Sequence, residues 1–205
     1  MKFRLLGATD RRVSELSFGA GPVAALMTDS EKNHLQRQTI QRALEAGINW
    51  FDTAPTYGAG QSERNLGAAL TDLGAPSNVG VATKVRLLPE QLGNIKETVK
   101  SSVTESLRRL RRPRITLIQL HNSVTQRRGD QPTSITPPDV LGRGGVLEAI
   151  AELKSDGLVE HFGLTGLGDT NALAEVIRSG PWAAIQACDN VLHPRRMRWL
   201  PALAT

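Results

Sequence analysis

Short apolar or β-branched runs alternate along this chain with longer stretches whose apolar positions recur every three or four residues. Lys2–Leu6 and Arg12–Leu16 predict a small hairpin around Thr9 and Asp10, and Ser17–Gly19 predicts a short buried strand. Glu31–Ala46 carries Leu35, Thr39, Ala43 and Ala46 at helical spacing, with Gly47 as a natural stop. Strands then follow at Ile48–Asp52 and Val79–Lys84, separated by a helix over Ser62–Leu70. Leu92–Leu110 predicts a long helix with Ile95, Val99, Val103, Ser106 and Leu110 on one face. Ile115–Leu120 is almost continuously apolar, as a strand buried on both faces requires. Beyond it, Gly145–Asp156 and Asn171–Arg178 predict helices, and Val159–Leu164 and Ala183–Ala187 predict strands. Between strand and helix, His121–Arg143 reads as a loop too long for a simple connection, of the functional or mobile kind.

Strict strand–helix alternation predicts an α/β fold with a parallel sheet and helices outside it. A doubly wound sheet and a barrel share that alternation, so periodicity leaves both open. The ends of the strands separate them. Asp52 closes one predicted strand, Lys84 closes the next, His121 follows the one after, and Tyr57, the only tyrosine, lies just past the first of these. Barrel active sites are built at the C-terminal ends of successive strands. Each residue has a plainer account alone: a loop tyrosine, an exposed lysine, a turn-forming aspartate, a histidine at the core edge. Four such accidents at equivalent positions are a poor explanation.

The residue types suit one chemistry. Reducing a carbonyl by hydride transfer leaves an alkoxide that must gain a proton, so an acid must touch the oxygen. Free tyrosine titrates near pH 10, too high for ready exchange at neutrality. A neighbouring ammonium favours the phenolate, and Lys84 is the candidate, held by Asp52. His121 is the candidate donor to the substrate oxygen. In reverse, the same group takes a proton from an alcohol.

Composition narrows the setting. The 205 residues are 40% hydrophobic and 22% charged, ordinary for a globular domain. The chain has no run of eighteen apolar residues, which predicts no membrane span, and its start lacks a signal-peptide pattern. Cys188 is the only cysteine, which excludes an intrachain disulfide and points to a reducing cytoplasm. The net charge of +5 includes clusters at Arg108, Arg109, Arg111, Arg112 and Arg114 and at Arg195, Arg196 and Arg198. The first lacks interleaved aromatics or a recognition helix, so a solvated surface is the expectation rather than nucleic-acid binding. No metal site is expected.

The stretch Ala46-Gly47-Ile48-Asn49-Trp50-Phe51-Asp52-Thr53-Ala54-Pro55-Thr56-Tyr57-Gly58 resembles the signature of the aldo-keto reductases. Val81-Ala82-Thr83-Lys84 and Leu117-Ile118-Gln119-Leu120-His121-Asn122 are similar to that family's next two blocks, and the resemblance runs from about Arg4 to about Pro194. It implies a TIM-type (β/α)8 barrel, an N-terminal hairpin closing the barrel floor, and NAD or NADP as hydride carrier. It also implies Tyr57 as acid/base, supported by Asp52, Lys84 and His121, and a small carbonyl, alcohol or sugar substrate. Asp52 matches a residue near the nicotinamide ribose, and Gln186 matches a carboxamide-binding glutamine. Thr165-Gly166 stands where the family has a Ser-Asn pair, so Thr165 can replace the serine hydroxyl while Gly166 replaces nothing. Leu141–Glu148 and Gln186–Asn190 look similar to members that oxidise free aldoses or pyridoxal-like substrates.

A full barrel of this kind takes about 250 residues. The expectation is therefore one domain, an incomplete barrel of about six β/α units, lacking the last two and ending in an atypical tail over 195–205. In the family those last units supply an aromatic that stacks on the nicotinamide and the basic loop for the adenosine phosphate. Two functions remain open: an NAD(P)-dependent oxidoreductase, or a non-catalytic relic or interaction protein that kept the start of the barrel. A doubly wound nucleotide-binding domain would want a Gly-x-Gly-x-x-Gly after its first strand, and none is present.

Overall fold

A computed structural model describes residues 1–7 and 9–188. The second arginine cluster, Asp189-Asn190 and the tail over 195–205 lie outside them. Two strands, β1 (Phe3–Leu5) and β2 (Arg12–Ser14), form the antiparallel hairpin. The remaining strands are β3 (Phe18–Gly19), β4 (Trp50–Asp52), β5 (Gly80–Val85), β6 (Ile115–Leu120), β7 (Val159–Thr165) and β8 (Ala184–Gln186). The helices are α1 (Asn33–Glu45), α2 (Gln61–Asp72), α3 (Ile95–Leu110), α4 (Pro137–Leu141), α5 (Val146–Ser155) and α6 (Thr170–Ser179).

All strands of the second sheet are parallel and pair in sequence order, β3-β4-β5-β6-β7-β8. A doubly wound sheet reverses direction at a switch point, whereas a barrel wall never does. The order therefore resolves what periodicity left open: this is an incomplete (β/α) barrel.

The two faces of the wall are chemically distinct because side chains alternate along a strand. Phe51, Val81, Val85, Ile118, Leu120 and Leu164 face outward and are fully buried under the helices, against Ile40, Leu66, Val99 and Ile150. On the inner face, Trp50, Ala82 and Leu117 form a separate floor cluster, with Leu6 and Val13 of the hairpin packed against it. Asn49 locks the hairpin there: its Oδ1 accepts from Ser14 N at 2.7 Å and its Nδ2 donates to Arg12 O at 2.9 Å. The expected floor-closing hairpin is present.

The 121–143 segment corrects the sequence reading. Part of it is helix α4, hidden because its Pro-rich start looks like a loop. Proline is well tolerated at the first helical positions, where its missing N–H has no intrahelical partner anyway. Asp139 Oδ2 accepts from Thr136 N at 2.9 Å and from Thr136 Oγ1 at 2.8 Å, closing the cap. The rest is tied down rather than loose. Val124 N donates to Leu167 O, and Asn122, fully buried, donates to Leu87 O at 2.8 Å and to Thr133 O at 2.6 Å. Smaller corrections fall at helix starts: α3 begins at Ile95 because Pro89–Gln91 forms a separate turn of 3-10 helix.

Candidate active site

One strand step above the floor cluster, the inner face turns polar. Lys84 is 2% exposed, and its three ammonium hydrogens have three acceptors. Nζ lies 2.6 Å from Asp52 Oδ1, 2.8 Å from Thr53 O and 3.4 Å from the Tyr57 hydroxyl. The last distance is long for a hydrogen bond but keeps full charge next to the phenol oxygen. The plain account of an exposed strand-end lysine is thus ruled out. The wall brings Asp52 and Lys84 together because β4 and β5 are neighbours and both residues sit on the inner face.

Tyr57 is held from both sides. Its N–H donates to Ala54 O at 3.1 Å, and its carbonyl accepts from Ser62 N at the start of α2 at 3.3 Å. The chain then turns through Gly58 (φ +58°), Ala59 (φ +50°) and Gly60 (φ +84°) into that helix. A Cβ at Gly58 would lie 2.8 Å from Thr28 Cβ, so this left-handed turn needs its glycine for space as well as backbone freedom. Beneath the turn, Thr53 Oγ1 and Ser62 Oγ are 2.8 Å apart, and Ser62 donates to Ala20 O at 2.6 Å.

His121 meets Tyr57 edge-on, with ring centroids 6.3 Å apart. Burial, then the positive charges of Lys84 and Arg86, push its pKa down to about 4, so the ring is neutral at physiological pH. Its Nδ1 is buried without a partner among the described residues. A neutral ring carries one hydrogen, and Nε2 is the atom where it can be used.

Two residues carry weight that the sequence did not signal as a site. Gln119 is 2% exposed, and its Nε2 reaches Asp52 Oδ2 at 3.2 Å and Gln186 Oε1 at 3.3 Å. It links the Asp52–Lys84 pair to Gln186. A lone amide in an apolar strand, two residues before His121 and so on the same face, was the available signal. Asn122 is the other, pinning the segments on both sides of His121.

Thr165 lies on the inner wall, with its hydroxyl donating to Leu120 O at 3.0 Å. It therefore offers lone pairs rather than a hydrogen. Gln186 is exposed, and its carbonyl is the atom engaged by Gln119, which leaves its amide hydrogens outward. Asp52, Lys84, Tyr57 and His121 form one group, while Thr165 and Gln186 lie across the wall. The first arginine cluster is mostly spent on structure. Arg109 binds the fully buried Glu63 at 2.6 Å, Arg108 pairs with Glu105 at 2.9 Å, Arg112 donates to Val79 O at 3.1 Å, and Arg114 lies 3.8 Å from Glu160. Among the described residues no group of His, Cys, Asp and Glu could hold a metal ion, and no helix is long and apolar enough to cross a membrane.

The parallel wall, the floor-closing hairpin and the Asp52–Tyr57–Lys84–His121 group at its mouth together define an incomplete (β/α) barrel with a polar group at the C-terminal ends of its strands. The profile of the aldo/keto reductase family matches residues 15–200, and the chain belongs to that family. It is 33% identical over 168 residues to L-galactose dehydrogenase of Arabidopsis thaliana, covering 82% of this chain and 49% of that protein. Pyridoxal 4-dehydrogenase of Microbacterium luteolum is 28% identical over 190 residues, 78% of this chain and 54% of that protein. The solved holo form of aldo-keto reductase AKR11C1 from Bacillus halodurans superposes with a TM-score of 0.76 at 30% identity. That match covers 99% of this chain and 62% of the other. The chain thus spans about half to three-fifths of the length of the relatives it matches.

Proposed function

We propose that this chain interconverts a carbonyl and an alcohol as an NAD(P)-dependent oxidoreductase, with Tyr57 exchanging the proton. The observation that carries the reading is one buried ammonium, Lys84 Nζ, shared between Asp52 Oδ1 at 2.6 Å and the Tyr57 hydroxyl at 3.4 Å. In the reducing direction the Tyr57 hydroxyl gives its proton to the nascent alkoxide. The phenolate left behind faces the Lys84 ammonium, whose opposite charge stabilises it. Asp52 and the Thr53 carbonyl hold that ammonium, so little reorganisation accompanies the transfer. His121, neutral, donates from Nε2 to the substrate oxygen, orienting it and stabilising the developing charge.

A bound nicotinamide cofactor supplies or takes the hydride. The residues present suit its carboxamide, which needs both a donor and an acceptor: the outward amide of Gln186 and the free lone pairs of Thr165 Oγ1 provide them. Asp52 would lie near the ribose. The substrate is a small aldehyde, ketone or aldose.

The test is a fluorescence titration of the 205-residue chain with NADH and NADPH, alongside Tyr57→Phe. Saturable binding by both proteins with aldehyde-dependent turnover only in the parent is the expected result. No binding at millimolar cofactor by a folded protein overturns it, and leaves the non-catalytic reading.

A further inference from the structure

Lys84 is the last inward residue of β5, and the chain continues past the strand's end at Val85 into Arg86. Along this strand Val81 and Val85 enter the outer core, and Thr83 donates to the buried Glu63 of α2 at 2.6 Å. The alternate residues turn inward: Ala82 joins the floor cluster and Lys84 joins Tyr57 and Asp52. Arg86 is the next member of the inward series.

Its backbone is fixed on both sides. Val85 O accepts from His121 N at 2.8 Å, which makes His121 the ladder neighbour of Arg86. Leu87, fully buried, is clamped by Asn122, whose Oδ1 accepts from Leu87 N at 2.9 Å and whose Nδ2 donates to Leu87 O at 2.8 Å. With Val85 and Leu87 both turned to the core, Arg86 is directed to the mouth of the barrel, beside His121 and one strand step above Lys84. It is exposed there. Its charge reaches the imidazole: after burial, which is the main cause, and Lys84, it is the third contribution that pushes the His121 pKa down.

The two cations at the mouth differ in one respect. Lys84 is matched by Asp52, whereas Arg86 has no ion pair or hydrogen-bond partner among the described residues. Arg11, Arg109, Arg112 and Arg128, by contrast, are each tied to a carboxylate or carbonyl. A guanidinium that stays charged at every physiological pH and presents a planar fork of donors is matched to an oxyanion.

We infer that Arg86 is the specificity-determining residue of this site, binding a carboxylate or phosphate on the substrate whose carbonyl or alcohol carbon meets Tyr57 and His121. The inference rests on the oxidoreductase reading for the reacting end of the substrate. The anionic group sits on the outer side of the reacting carbon, because Arg86 lies nearer solvent than Lys84. No bond is made or broken at Arg86.

Binding is measured without turnover, by the shift of the His121 imidazole NMR resonances. The probes are two matched pairs: 4-carboxybenzaldehyde against benzaldehyde, and glyceraldehyde 3-phosphate against glyceraldehyde. The parent is expected to bind the charged member of at least one pair roughly tenfold more tightly, equivalent to about 1.4 kcal/mol. Which pair shows the preference identifies the oxyanion. Arg86→Gln removes the preference for the charged member of the pair; where turnover is measurable, the loss appears in the KM of the charged member relative to the neutral one. Equal affinity within both pairs, a preference that survives Arg86→Gln, or no probe reaching His121 overturns the inference. Failure of the oxidoreductase reading is distinguishable, since a chain that binds the charged probes through Arg86 yet never turns over overturns only that reading.

Discussion

The floor and the mouth of this barrel are built from the same strands, one strand step apart, and obey opposite rules. On β4 and β5 the floor contributes Trp50 and Ala82, and the mouth contributes Asp52 and Lys84. At the floor Trp50, Ala82 and Leu117 form an apolar cluster, which the hairpin covers with Leu6 and Val13, while His161 beside Leu117 faces Asp10 of the hairpin. At the mouth a buried cation persists only because three acceptors surround it. An apolar cluster is stabilised by leaving water, whereas a buried charge costs stability unless it is fully partnered. The floor is where this fold gains stability, and the mouth is where it gives some up to hold a buried charge.

The sharpest way to break this contrast is Lys84→Met, close in size and without charge. Turnover should fall by roughly 10²–10⁴-fold, the range for losing a positioned proton-transfer partner. Stability should also drop, by about 3 kcal/mol, because Asp52 loses its cation in a mostly buried site. Adding Asp52→Asn should recover much of the melting temperature and none of the turnover. A double variant that regains activity would show the ion pair to be structural.

Trp50→Ala attacks the floor instead. It should cost about 3–5 kcal/mol of unfolding free energy in a denaturant titration, as expected for emptying a buried aromatic site. Cofactor affinity of the remaining folded fraction should be unchanged. Asn49→Ala removes the lock between hairpin and floor and should cost about 1–3 kcal/mol by leaving Ser14 N and Arg12 O unpartnered. Limited proteolysis should then cut the hairpin first; cleavage elsewhere would mean that the hairpin does not depend on Asn49.

The smallest effect is that of pH at His121. Its folded pKa, about 4, lies below the ordinary histidine value of about 6.5. Between those values the unfolded chain binds a proton that the folded chain does not, so stability rises with pH across that window. The contribution is complete above about pH 6.5 and is lost as pH falls toward 4. The melting temperature of His121→Asn should therefore fall less on acidification than that of the parent, and an equal fall would break the argument. Carbonyl reduction should show no inflection from His121 between pH 6 and 8.

The particular residues show how much was legible beforehand. Strand order along the chain, the outward Val81-x-Thr83-x-Val85 series and the inward Lys84 follow from alternation, which is a local rule, and so the element sequence was readable. Helix α4 was not, because composition alone does not distinguish a proline that opens a helix from one in a loop; the Thr136–Asp139 cap decides it. Gln119 was visible as an anomaly in an apolar strand, but its partners, Asp52 and Gln186, are 67 residues away on either side. The short-range pattern carries no information about such a pairing.

By itself the sequence determined the alternation of strands and helices, the candidate group Asp52, Tyr57, Lys84 and His121, and the likeness to one family. These depend on residue type and on spacings of two to five positions, which local backbone geometry translates directly. Only the tertiary structure decided that the strands pair in one unbroken order, that Lys84 is buried and triply bonded, that His121 is neutral, and that Arg86 beside it has no partner among the described residues. Those are properties of neighbours brought together by strand pairing over tens of residues, and charge, burial and hydrogen-bond count have no value until the neighbours are in place.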